Sequence, residues 1–361
     1  MRVDPASARH HGETDRMTAE DACQAPIRDG WYAGALAGQV GRTPLQTWLL
    51  GQPIVLFRKP SQEIVALVDR CPHRHAPLSR GTVIGEAIQC RYHGFQFEAT
   101  GRCIKVPGEK TVPAALQVQA LPTLEAFGLV WLWPGDPTRA DPGLLPTFPW
   151  ADDPTFSTRH ADITVNAPSA LIVDNLMDLT HVHFVHRLLG AENLVHESEP
   201  MQTWEAGDHV YFRRDLKGGK YADSGVHLEI SGEFIPPSMV ITSSVPRRAS
   251  GEEVPEASTT RVLHCLTPSH AQSTRYFVVR CWTHLRKPQE ITAVHHQIDV
   301  TLAEDKDIIE AQYQNRQLTG AIVPEVLIRA DRAAVLARRM YVRVLQRERV
   351  ATSQRGTDVT R

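Results

Sequence analysis

The sequence predicts an α+β protein of two domains, a small all-β one followed by a mixed one. Three observations carry this expectation. Short strand-like runs with turn punctuation fill residues 28 to about 135. Residues 134–158 are rich in Pro, Asp and Gly and read as turn or linker chemistry. Beyond them, more strand-like runs reach about residue 285 and then give way to helical periodicity. A length of 361 residues, more than one typical domain, agrees.

In chain order, residues 1–27 are polar and lack apolar periodicity, so a disordered tail is expected, with Met17 as an alternative start. Trp48 to Arg58 reads as strand, turn, strand, and Ile64–Val68 as the next strand. Phe95-Gln96-Phe97 and Cys103–Val106 flank Ala99-Thr100-Gly101, a hairpin signal. Gly128–Trp133 is the last strong strand of the first domain, whose limits are set at 28–140. The second domain, set at 150–350, opens with a strand near His160–Val165 and continues into a helix around 174–186. Val210–Phe212, His227–Ile230 and Tyr276–Trp282 are strand-like. Helices are expected over Glu290–Arg316 and Pro324–Gln346, then a frayed tail over 351–361. There is no internal repeat.

Composition is that of an ordinary globular chain, 42% hydrophobic and 22% charged. A net charge of −2 gives no reason to propose nucleic acid or an anionic membrane as partner. No apolar run is long enough to span a bilayer, and the N-terminus lacks a secretory pattern. The expected location is the cytoplasm. There the six cysteines stay thiols or ligate metal, with Cys23, Cys103, Cys265 and Cys281 read as free.

The first chemical motif is Cys71-x-His73, then 16 residues, then Cys90-x-x-His93. Two loop pairs of one Cys and one His each would suit zinc on ligand softness. Zinc knuckles rarely surround such pairs with Pro72, Pro77, Gly81, Tyr92, Gly94 and Phe95. That combination is the pattern of a Rieske [2Fe–2S] centre, in which two Cys hold one iron and two His the other.

The second motif runs from Asp174 to His186. At about 100° per residue, Asp174, Asp178 and His181 fall within roughly 60° of one another on a helix, as one polar stripe. His183 points almost directly away from His181. His186 lies over a hundred degrees off the stripe and reaches a shared metal only if the helix ends or distorts between His181 and His186. Two imidazoles and one carboxylate with open positions form the facial triad of non-haem Fe(II) oxygenases. The plainer alternative is a His-rich core helix.

The chain resembles the Rieske non-haem iron oxygenases over about Gly30 to Arg316. The matching residues are Cys71-Pro-His73-Arg-His-Ala-Pro-Leu-Ser, Cys90-x-Tyr-His93-Gly94, Gly128-Leu-Val-Trp-Leu-Trp-Pro-Gly and Asp174-Asn-Leu-Met-Asp-Leu-Thr-His181-x4-His186. Asn-Leu-Met-Asp-Leu-Thr-His is especially similar to the vanillate and dicamba O-demethylase branch. The resemblance implies an all-β Rieske domain on a helix-grip catalytic domain, an antiparallel sheet with helices, in a ring-shaped homotrimer. It implies that Cys71, His73, Cys90 and His93 ligate the cluster, and that His181, His186 and Asp305 ligate a mononuclear iron. The alternative for Glu304-Asp305-Lys306-Asp307 is a solvated helix surface, which fits Glu304, Lys306 and Asp307 well; Asp305, one turn before Ile308 and Ile309, can face inward. Asp178 would link an iron-bound His to a cluster His of the neighbouring subunit.

By the same resemblance His264 is a candidate donor to a substrate carboxylate, with a plain core or exposed strand His as the alternative. Met239, Ile241 and Trp282 are candidate apolar pocket walls, with ordinary core as the alternative for each. The branch carries a Trp where this chain has His296, which leaves the acid substrate open. The implied activity is O-demethylation of a methoxylated aromatic acid with O2. Electrons would come from a separate NAD(P)H-dependent flavin and [2Fe–2S] reductase or a ferredoxin, because no Gly-x-Gly-x-x-Gly occurs in the chain. The alternatives are hydroxylation of an aromatic or alicyclic substrate on the same iron, and a Rieske electron-transfer protein without an iron site.

Overall fold

The computed structural model describes residues 26–186, 200–216, 225–254, 258–283, 288–318 and 325–358. The expected N-terminal tail, residues 1–25 with Met17 and Cys23, lies outside them. The chain is already packed at Ile27, which is buried.

The first domain contains β1 (Tyr32–Leu36), β2 (Leu45–Leu49), β3 (Gln52–Arg58), β4 (Ile64–Val68), β5 (Thr82–Ile84), β6 (Ala87–Gln89), β7 (Gln96–Phe97), β8 (Cys103–Lys105), β9 (Ala120–Leu121), β10 (Thr123–Ala126) and β11 (Leu129–Leu132). They form three antiparallel sheets, ordered β1-β11-β10, β2-β3-β4-β9 and β5-β6-β7-β8. Ile54–Phe57 and Ile64–Val68 are apolar without alternation because both faces are buried. The β2–β3 turn uses Leu50 and Gly51, both at positive φ (51° and 79°), the pair of left-handed residues that a two-residue hairpin demands.

The second domain is one seven-stranded antiparallel sheet with, among the described residues, four helices. Its strands are β12 (Phe156–Val165), β13 (Gln202–Ala206), β14 (His209–Leu216), β15 (Val226–Ile235), β16 (Met239–Arg248), β17 (Thr260–His270) and β18 (Ser273–Thr283). They lie in the order β12-β18-β17-β16-β15-β14-β13, a meander with its first strand laid beside its last. The helices are α1 (Ser169–Leu176), α2 (Val182–Val185), α3 (Pro288–Leu318) and α4 (Arg332–Asp358). No helix of the described residues is long and apolar enough to cross a membrane.

Alternation along the sheet builds two cores. Leu263, Cys265, Phe277, Val279 and Cys281 point to one face and pack on Trp31, Trp131, Trp133 and Phe148 of the first domain. Their neighbours Val262, Tyr276 and Val278 point to the other face, under Ile298, Leu302 and Ile309 of α3. The sheet is therefore the shared wall between the domains on one side and the floor of the helical layer on the other.

Residues 134–158 form turns, as their Pro, Asp and Gly content predicts. Pro137–Arg139, Pro142–Leu144 and Pro149–Ala151 are single 3₁₀ turns started by proline, the first two capped by Asp136 and Asp141, and Phe148 is buried between the domains. The last helix begins at Arg332 after a short turn at Arg329–Asp331, and it runs to Asp358 rather than fraying at 351. Its far end is held by Glu348, whose Oε1 accepts from the Arg28 and Asp29 backbone N–H groups at 2.8 and 2.5 Å.

Candidate functional site

The two Cys–His loops of the first domain have the same backbone. Cys71 N–H donates to Ala76 O and Cys90 N–H to Phe95 O, while His75 N–H returns to Cys71 O and Gly94 N–H to Cys90 O. The returning residue has positive φ in both, 58° at His75 and 72° at Gly94. Glycine takes that conformation without penalty and His75 does not. The loops bring the His73 and His93 rings to 4.6 Å between centroids, and Phe95 stacks on His73 at 4.9 Å.

Cys71 and Cys90 are buried, whereas His73 and His93 are exposed at the tip with Tyr92. Burial pushes the Cys71 thiol up to about 11, and the neighbouring Cys90 pushes the same way, so a metal must displace its proton. His73 is held below its ordinary value by lost solvation, with His93 and Arg74 adding to the effect; this favours the neutral, ligating ring. Among the described residues these four do not close to the spacing of a single ion. That disfavours the zinc alternative and fits a larger two-iron cluster with thiolates inside and imidazoles at the tip.

The second set does converge on one point. One nitrogen each of His181 and His186 and one oxygen of Asp305 all lie within 4.8 Å of one another. His186 Nε2 is 3.2 Å and His181 Nε2 is 3.6 Å from Asp305 Oδ1. The histidine rings stand nearly perpendicular, at 79°. This is an N,N,O donor set with its remaining directions free, and it fits a mononuclear iron. The folding that achieves it differs from a continuous helix. Helix α1 stops at Leu176, and Asp178 Oδ1 accepts from Thr180 N–H and Oγ1 at 2.7 and 2.8 Å, a local turn that competes with helix. His181 then starts the one-turn α2, and His186 leaves it at φ −100°, ψ 78°.

The expected polar stripe of Asp174, Asp178 and His181 does not form. Asp174 turns away and pairs with Arg338, Oδ1 to Nε at 2.9 Å and Oδ2 to Nη2 at 2.5 Å. Glu304, expected as solvated surface, has Oε2 3.0 Å from His186 Nδ1. Asn175 Nδ2 donates to Asp305 Oδ1 at 3.2 Å. Both residues were missed by sequence reasoning; each directly adjoins a residue that was singled out. Burial opposes charge on His186, but Asp305 and Glu304 outweigh it and raise its pKa. Burial lowers His181, against the pull of Asp305 and Asp178. Its Nδ1 is buried and makes no well-formed hydrogen bond, its weak contact being with the Asp178 backbone.

His181, His186 and Asp305 border a cavity of about 330 Å³, the size of a small-ligand site. Its walls are largely apolar, including Leu228, Ile230, Val262, Val278, Ile298 and Leu302. His264 also lines it, but both ring nitrogens are engaged: Nε2 lies 3.0 Å from Thr242 Oγ1 and Nδ1 lies 2.6 Å from Tyr276 Oη. Burial lowers His264 to about 3, so the ring is neutral. The expected free donor to a carboxylate is thus already committed. Trp282 is on the cavity face of its strand, but it packs edge-on against His295 of α3, outside the cavity lining. Met239 and Ile241 belong to the interdomain core, and His296 is exposed.

Comparison with known proteins agrees with this geometry. A family model described as the Rieske [2Fe-2S] domain matches residues 30–122. One described as the vanillate O-demethylase oxygenase C-terminal domain matches residues 165–347. The chain is 43% identical to the dicamba O-demethylase oxygenase component of Stenotrophomonas maltophilia, over 45% of this chain and 48% of that protein. It is 31% identical to a putative toluene-4-sulfonate monooxygenase system iron-sulfur subunit of Comamonas testosteroni, over 91% of this chain and 99% of that one. A crystal structure of dicamba monooxygenase bound to dicamba superposes with a TM-score of 0.80 at 30% identity, over 91% of this chain and 100% of that chain.

Proposed function

The chain belongs to the Rieske non-haem iron oxygenases of the vanillate O-demethylase type, and on that premise we propose that it O-demethylates a small methoxylated aromatic acid. It is an oxygenase component that carries a Rieske [2Fe–2S] cluster and a mononuclear non-haem iron. When bound, the cluster supplies electrons one at a time and the iron supplies oxygen activation. The observation that carries the proposal is the convergence of His181, His186 and Asp305 on an apolar cavity of about 330 Å³. A pure electron carrier has no use for this second set.

The cluster is assigned to Cys71, His73, Cys90 and His93, and the iron to His181, His186 and Asp305. Glu304 aims the His186 ring and Asn175 steadies the Asp305 carboxylate. The apolar walls hold an aromatic ring and exclude water. In the net reaction one oxygen atom of O2 enters a methyl C–H bond. The other leaves as water with two electrons and two protons, and the hemiacetal collapses to a phenol and formaldehyde.

Asp178 is assigned as the link between His181 and a cluster histidine of a neighbouring subunit in a homotrimer. Its oxygens are held by Thr180, neither His73 nor His93 is among its partners, and those two rings are exposed. This supports a contact made between chains. The electron source is a separate NAD(P)H-dependent flavin reductase or ferredoxin. The buried thiols of Cys103, Cys265 and Cys281, which form no disulfide, are in keeping with a reducing cytoplasm.

The test is oxygen uptake by the iron-loaded protein with a reductase, across methoxylated benzoates, with formaldehyde assayed in parallel. Formaldehyde matching oxygen consumed is expected. Uptake with a hydroxylated product and no formaldehyde would replace O-demethylation by hydroxylation.

A further inference from the structure

The cavity lining contains one arginine and no lysine. Along β18, Tyr276, Val278 and Arg280 share the cavity face while Phe277, Val279 and Cys281 enter the interdomain core. Arg280 is thus a cationic side chain on an otherwise apolar strand face. Its Nε is buried without a hydrogen-bond partner, and no carboxylate among the described residues pairs with its guanidinium. Two other arginines of this domain are paired, Arg338 with Asp174 and Arg275 with Asp162. Leaving a cation unpaired among apolar walls is costly, so such a group is retained for what binds it.

We infer that Arg280 anchors the anionic head group of the substrate, a carboxylate or sulfonate carried on an apolar body the size of one substituted ring. A guanidinium meets either oxyanion with two parallel N–H bonds, which fixes direction as well as affinity. Hydroxyl donors stand one step along the sheet: Val262 pairs with Arg280, and the next row is Ser244, Thr260 and Trp282, of which Ser244 and Thr260 line the cavity. The triad enters the same cavity from the helical side, on α2 and α3. Arg280, His264 and Asp305 all line this one cavity. Burial lowers Arg280 to about 10, which leaves it charged at neutral pH. The substrate is therefore held at its anionic end on the sheet, with its opposite end free to present a methyl group to the triad. This orientation rests on the reading of the triad as the reaction site; the anchor itself does not.

The experiment is calorimetric titration of the holoprotein with 3- and 4-methoxybenzoate, the matching benzenesulfonates and the neutral benzamides. It is run on wild type, Arg280→Gln and Arg280→Lys, each checked for an unchanged cluster spectrum. Wild type is expected to bind at least one acid or sulfonate more than about tenfold tighter than its amide. Arg280→Gln removes that preference by weakening the anion and not the amide, and Arg280→Lys falls between because a point charge replaces the fork. The carboxylate and sulfonate arms show which oxyanion is preferred. Wild type without anion preference, no anion binding at all, or variants that bind anions as wild type does would each overturn the anchor. Arg280-dependent binding without formaldehyde keeps the anchor and removes O-demethylation. Formaldehyde from neutral ethers, undiminished in Arg280→Gln, does the reverse.

Discussion

A ligating histidine is aimed by whatever its other nitrogen holds. His186 has Glu304 at 3.0 Å on Nδ1, and this fixes the tautomer that presents Nε2 toward Asp305. Replacing Glu304 by Ala should weaken iron retention about 10–100-fold, measured by iron loss to a chelator, with the cluster spectrum unchanged. Unchanged retention would show that the ring is aimed by packing alone. The family resemblance pointed to His181, His186 and Asp305; helical spacing alone left His186 over a hundred degrees away from His181. Glu304 had no such pointer. A Glu-Asp-Lys-Asp run reads as a solvated face, and only the tertiary placement of His186 beside α3 makes one of those carboxylates a partner. Arg280 was legible in principle, as a lone cation in Tyr276-Phe-Val-Val-Arg-Cys-Trp. Trp282 shows the limit of alternation, which gives the face but not the depth: His295 fills the space in front of it.

At the scale of elements, the site depends on a helix that stops early. Periodicity alone extended α1 through Asp178 to His181, and on that basis Asp174 joined the metal stripe. The Asp178–Thr180 turn ends the helix instead, and α1 is clamped to α4 by Asp174 and Arg338. Both partners of that clamp are largely buried, with side-chain exposures of 17% and 12%. Arg338→Met should cost about 3 kcal/mol or more, because it strands a buried carboxylate. Chemical denaturation measures this, and a loss below about 1 kcal/mol would mean that solvent reaches the pair. The Pro-rich segment 134–158 reads as turns in the sequence, but the packing of Phe148 within it does not. Turn chemistry is local, whereas the burial of Phe148 is decided by the sheet it meets.

Across the whole molecule, the division into two domains was read from the Pro-, Asp- and Gly-rich break at 134–158 between two blocks of strand-like runs. Their union was less visible. It lies in the fully apolar runs Leu129–Trp133 and Tyr276–Val279, whose lack of alternation means burial on both faces. The result is one sheet that packs on the cluster domain with one face and floors the iron cavity with the other. The exposed His73 and His93 tip belongs to the first domain and the cavity to the second, and the homotrimer proposed above is what would join such sites between chains.

The central claim is that His181, His186 and Asp305 hold an iron separate from the cluster. Iron content per chain tests it most directly, measured beside the visible cluster spectrum in wild type and in His181→Ala and Asp305→Ala. Wild type should carry about one iron beyond the cluster pair, and both variants should lose that iron while keeping the spectrum. Variants that retain the additional iron, or a wild type that holds only the cluster pair after iron loading, would contradict the account.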